Sequence, residues 1–219
     1  MVPDMHKPAS PILSAPVSAA LACGALLLQL PGTALAVDGT ITINGEITDQ
    51  TCKINGSLPP YNFIVNLPKI STSALKNVND TAGATAFSIK VTDCPATLTG
   101  DIKAYFEPGA TTDYEHGYLH AYSESAAKTT AAAEIPSRAG TTPVTNVAFQ
   151  LANLDGTPIK MGAAQADQGT LGQTLAATSS SDTKKTATLR YLARYIKSGT
   201  GDIAAGKLVS YVQYSIVYP

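Results

Sequence analysis

Apolar and polar residues alternate at period two in segment after segment, and Gly, Pro, Asn or Asp interrupts each run. That period is the signature of half-buried β-strands, whose successive side chains point to opposite faces. Ile41-Thr42-Ile43-Asn44-Gly45-Glu46-Ile47 reads as the first strand, and Tyr61 to Val65 reads as a second, ending at Leu67-Pro68. Phe87 to Val91 precedes Asp93-Cys94-Pro95, and Ile102 to Phe106 stops at Pro108-Gly109, a turn pair. Val147 to Leu151, the turn Asp155-Gly156-Thr157-Pro158 and Ile159-Lys160-Met161 form a predicted hairpin. Ala187 to Ile196 and Leu208 to Tyr218 are two long predicted strands separated by Gly199-Thr200-Gly201. Residues 123–145 and 165–182 are rich in small and polar residues and read as loops. With no amphipathic helix of useful length and no tandem period, the pattern predicts an all-β sandwich in one domain.

The N-terminus reads as an export leader. Lys7 precedes a long uncharged stretch, Ala25-Leu26-Leu27-Leu28 is too short to span a bilayer, and Pro31-Gly32 leads into the A-x-A site Ala34-Leu35-Ala36. Residues 1–36 are therefore expected to be removed, exposing Val37. Leu21-Ala22-Cys23-Gly24 is a weaker alternative of lipoprotein type, since cutting there would leave Leu26-Leu27-Leu28 at the new terminus. After cleavage at Ala36 two cysteines remain, Cys52 and Cys94, the number a single bridge requires in an oxidising compartment. On the chain-entropy argument such a bridge is worth about 3–4 kcal/mol.

Composition narrows the function. A formal charge of −1 supplies no global field for nucleic acid or anionic lipid. Two isolated cysteines cannot complete a zinc shell. His116 and His120, with Asp113 and Glu115, carry metal-type residues, but Gly117-Tyr118-Leu119 disfavours a helix, and in a strand the two histidines stand about 13 Å apart. A solvated loop is the preferred reading. No Gly-x-Ser-x-Gly elbow and no phosphate-cradling glycine loop is present, so neither an enzyme nor a cofactor is expected. Lys184, Lys185, Arg190, Arg194 and Lys197 would form a patch for sulfated glycans only if neighbouring strands aligned them.

Four landmarks, in order, resemble the subunits of chaperone–usher fimbriae. They are Gly39-x-Ile41-x-Ile43-x-Gly45-x-Ile47 leading to Cys52; Phe87-x-Ile89-x-Val91-x-Asp93-Cys94; Asn146 to Leu151 followed by Asp155-Gly156; and a C-terminus with Gly206, alternating Val212, Tyr214 and Ile216, and penultimate Tyr218. Leu67-Pro68-Lys69-Ile70, Ala104 to Gly109 and Val217-Tyr218-Pro219 look most like the Bordetella major subunits.

The resemblance implies an incomplete immunoglobulin-like β-sandwich lacking its final strand, completed by donor-strand exchange. It divides the chain into a signal peptide (1–36), a donor-strand extension (37–47) and a pilin domain (48–219). Val37, Gly39, Ile41, Ile43 and Gly45 would enter successive pockets of the next subunit, and Gly206, Val212, Tyr214, Ile216 and Tyr218 would form the strand a periplasmic chaperone recognises. The implied partners are further copies of the chain, that chaperone and an outer-membrane usher, with a tip adhesin and host glycans as additional candidates. The implied role is a major shaft subunit of an adhesive fimbrium on the bacterial surface, exported through the periplasm. A minor or tip subunit that binds a glycan receptor directly is the alternative.

Overall fold

Ile, Val, Leu and Tyr at alternate positions of the longest runs meet face to face and build two stacked antiparallel sheets. The computed structural model describes residues 42–47, 52–178 and 183–219. In chain order the strands are β1 (Lys53–Ile54), β2 (Thr81–Pro95), β3 (Asp101–Glu107), β4 (Thr112–Asp113), β5 (Tyr118–His120) and β6 (Tyr122–Glu124). They continue with β7 (Val147–Asn153), β8 (Gln173–Thr174), β9 (Ala176–Ala177), β10 (Lys184–Lys197), β11 (Lys207–Val209) and β12 (Gln213–Val217). The larger sheet runs β1-β2-β10-β7-β5-β4, with β9 also paired to β10. The second runs β12-β3-β8, and β11 pairs with β6 apart from both.

The core lies between β2 and β10 on one side and β3 on the other. Ile89 and Val91, Leu189 and Tyr191, and Ile102, Ala104 and Phe106 are all fully buried. The Phe106 and Tyr191 rings meet edge to face at 5.3 Å, and Phe87 packs on both. Each large apolar side chain buried this way stabilises the fold by about 1.5–3 kcal/mol. Cys52 and Cys94 are bonded (S–S 2.15 Å), tying the start of β1 to the end of β2.

The chain divides into two units, Met1–Glu46 and Ile47–Pro219. The described residues of the first unit, 42–46, belong to no strand and are exposed. The strand expected over Ile41–Ile47 is thus unpaired where it is described; Ile41 itself lies outside the described residues.

Two expectations are corrected. Tyr61–Val65 is not a strand: among the described residues no backbone–backbone hydrogen bond reaches residues 61–70, because no neighbour stands beside them to complete a ladder. Leu208–Tyr218 is not one strand but two, β11 on β6 and β12 on β3. The break falls at 210–212, where the Thr111 hydroxyl donates to the Tyr211 carbonyl and the Tyr211 ring stacks on the Arg138 guanidinium at 4.8 Å. The predicted hairpin forms: Asn153 N–H donates to Thr157 O at 2.9 Å, and Ile159 N–H to Leu151 O at 2.9 Å.

Candidate functional site: an open strand edge

Among the described residues β12 has one neighbour, β3. Its register pairs Tyr214 with Phe106 and Ile216 with Ala104 on β3. The backbone N–H and C=O of Phe106 both turn away from β12, to the side chain of Gln168. In an antiparallel ladder this makes Phe106↔Tyr214 a pair whose backbone groups point outward on both sides. The N–H and C=O of Tyr214, and by the same period those of Ile216, therefore lie along an edge beside which no strand stands among the described residues. Unpaired edges of this kind are templates for strand addition.

The inward-facing side chains of β12 repeat the same incompleteness. Val212, Tyr214, Ile216 and Tyr218 pack against the core yet stay only half-buried, while Gln213 and Ser215 face solvent. Across from them Tyr61, Phe63, Val65 and Leu67 are likewise half-buried against the core, alternating with exposed Asn62 and Asn66. Among the described residues no backbone–backbone bond joins the two rows: the Tyr214 hydroxyl donates to the Tyr61 carbonyl at 2.8 Å, and its ring meets Phe63 edge on at 5.9 Å. A directly paired strand would stand about 4.8 Å away and share backbone bonds instead. Burial, reinforced by the neighbouring Tyr61 phenol, pushes the Tyr214 hydroxyl above its ordinary value, so it stays protonated and able to donate.

Of the residues expected to be donated, Val37, Gly39 and Ile41 lie outside the described residues. Ile43 is 89% exposed, Ile47 is 100% exposed, and a side chain at Gly45 would meet nothing within 4 Å. Gly206 is exposed immediately before β11. The structure brings Val212, Tyr214, Ile216 and Tyr218 into one row but leaves Gly206 outside it. The opposite wall, Tyr61 to Leu67, packs against the core without joining a ladder, where sequence reasoning expected an ordinary strand. Its period-two Tyr61, Phe63, Val65 and Leu67, matching that of β12, is the signal that pointed to it.

The other candidates resolve into local contacts. The His116 imidazole pairs with Asp113 at 2.9 Å and stacks on Tyr118, and the described residues contain no cluster suited to a metal ion. The cations of β10 are largely spent on backbone oxygens: Lys185 on Leu98 at 2.8 Å, Lys197 on Gly201 at 2.6 Å, and Arg194 on Gly156 at 3.0 Å and on the Gln150 side chain. Lys184 and Arg190 alone are exposed, so no concentrated basic patch forms.

Fold and edge together define a class: an all-β domain with one long side of its interior uncovered and an unpaired strand edge beside the opening. The model of the family described as type-1 fimbrial protein, A, matches residues 67–219. The chain is 44% identical over 198 residues to the fimbrial protein FimX of Bordetella pertussis, covering 90% of this chain and 96% of that protein. It is 45% identical over 187 residues to the serotype 3 fimbrial subunit of the same organism, covering 85% and 89%. The major fimbrial subunit SMF-1 of Stenotrophomonas maltophilia is 35% identical over 194 residues, covering 88% and 99%. Among solved structures, a chaperone–usher pilus subunit is 16% identical with a TM-score of 0.49, covering 83% of this chain and 95% of that one. The P pilus rod subunit PapA is 16% identical with a TM-score of 0.46, covering 82% and 100%. The chain belongs to the type-1 fimbrial protein family, and it is a fimbrial subunit.

Proposed function

We propose that the chain is the repeating major subunit of a surface fimbria, joined to its neighbours when the extension of one copy fills the open side of the next. The observation that carries this is the pairing of an unpartnered β12 edge with half-buried apolar rows on both sides of it. An open edge beside exposed apolar surface is an aggregation hazard unless something covers it. The period-two Val37, Gly39, Ile41, Ile43 and Gly45 present one face of a strand suited to that gap.

Each inserted isoleucine would contribute about 1.5–3 kcal/mol and each ladder bond about 0.5–1.5 kcal/mol. The gross gain exceeds roughly 10 kcal/mol before ordering costs, so joined subunits part slowly. A periplasmic chaperone holds the same edge after export, through Val212, Tyr214, Ile216 and Tyr218, and an usher exchanges it for the incoming extension. Cleavage after Ala36 frees Val37 as the first residue of that extension.

Deleting residues 37–45 tests the reading. Surface filaments should vanish while the chaperone complex persists; normal filaments would defeat strand donation. Gly39→Asn should likewise stop polymerisation, because a side chain there would hold the two backbones apart.

A further inference from the structure

β3 has a second edge, and it is closed by unusual means. β8 pairs with only Asp101 and Ile102. Beyond that point side chains replace the strand. The Ala104 N–H donates to the Tyr191 hydroxyl at 3.1 Å, which donates onward to the Leu171 carbonyl at 3.0 Å. Two residues later the Gln168 amide takes both backbone groups of Phe106: its oxygen accepts from the N–H at 2.8 Å, and its nitrogen donates to the C=O at 2.7 Å. One primary amide thereby reproduces the donor and acceptor of a paired strand residue. Gln168 is completely buried.

The segment carrying it is fastened twice more. The buried Asn153 amide donates to Gly169 O at 2.8 Å and accepts from Leu171 N–H at 2.9 Å. At Gly172 the chain passes so near β3 that a Cβ would stand 2.7 Å from the Ile102 carbonyl oxygen.

We infer that Gln168, held by Asn153 and Gly172, is a specificity residue for assembly: it closes the second edge of β3, so that of the two edges of the β12-β3-β8 sheet only β12 admits the extension of another copy. The inference rests on the strand-donation reading above. A fold that polymerises by strand addition must offer one edge and refuse the other, since a second open edge would branch the polymer.

The test incubates the full-length secreted chain, wild type and Gln168→Met, with excess synthetic peptide of residues 37–47. Native mass spectrometry counts bound peptide, and amide exchange is followed at Tyr214 and Phe106. Wild type should bind one peptide, slowing Tyr214 at least tenfold while Phe106 is slow throughout. Gln168→Met keeps side-chain volume but lacks both bonds; Phe106 should exchange at least tenfold faster, and a second peptide should bind and slow it again. A folded Gln168→Met that binds one peptide, with Phe106 indifferent to it, overturns the inference. If that variant does not fold, Gly172→Ala decides by the same stoichiometry, because it pushes the segment off β3 and should also admit a second peptide; one peptide there overturns the inference equally. Peptide protecting Phe106 in the variant but Tyr214 in neither chain would defeat donation at β12 and still uphold the guard.

Discussion

Individual polar residues decide how the loops of this domain are held, and Asp113 is the clearest case. Burial alone would raise its carboxyl, but the His116 N–H, the His116 imidazole and the Glu115 N–H outweigh it and set the carboxyl below its ordinary 3.8. A depressed carboxylate contributes stability that is full above the unfolded value and is lost as pH falls through the folded one. Asp80 and Asp93 are also depressed, chiefly by the Asn77 backbone N–H and by Lys53 respectively, but Asp93 is exposed and Asp80 only half-buried, so water screens both. Asp113→Asn should therefore lower the urea midpoint at pH 7 and reduce the further fall between pH 4 and pH 2. Equal slopes in the two proteins over that range would remove Asp113 from the account.

The strands show where period two informs and where it stops. β2, β3 and β10 were legible because each buries mainly one face: Ile89 and Val91, Ile102 and Phe106, Leu189 and Tyr191 recur at every second position, whereas β7 is buried on both faces. Tyr61 to Leu67 has the same pattern yet forms no ladder, since periodicity reports burial of a face and is silent about whether a neighbour exists to bond the backbone. Leu208 to Tyr218 is rich in strand-forming residues throughout and alternates from Val212 to Ile216, but Tyr211 is pinned by Thr111 and Arg138, contacts from residues 100 and 73 positions away that no local pattern encodes. Gln168 was invisible for a like reason: its burial arises from the fold and not from its neighbours in sequence.

At this scale β12 carries a measurable expectation. In the free subunit the amides of Tyr214 and Ile216 should exchange rapidly while Ser215, paired with Tyr105, is protected. A peptide of residues 37–47 should slow the first two. At a hundred times its dissociation constant it should stabilise the domain by about 2.7 kcal/mol, raising Tm by roughly 5–10 °C. Unchanged exchange at Tyr214 with saturating peptide would count against insertion at this edge.

The molecule as a whole couples an incomplete interior to one covalent brace. The Cys52–Cys94 bond closes a loop with a sequence separation of 42, and on the chain-entropy argument its loss costs about 4 kcal/mol. That is a large share of the 5–15 kcal/mol of an ordinary domain, larger still for one missing a strand. Cys52→Ser with Cys94→Ser should lower the denaturant midpoint accordingly and reduce secreted yield. A double variant as stable as wild type would show that the sheets alone suffice.

The brace also determines how the chain would respond to traction. In the proposed filament of donated extensions, pull on a subunit would enter its domain from the extension side and reach Cys52, which lies just before the first described strand. There the sulfur bridge diverts the load into the end of β2, which is zipped to β10 along most of its length. The intervening segment, including the loosely held wall at Tyr61 to Leu67, lies in a shunted loop that tension cannot unravel. Reduction would expose that loop to tension, about 140 Å of chain per subunit at full extension once β2 has also unzipped from β10.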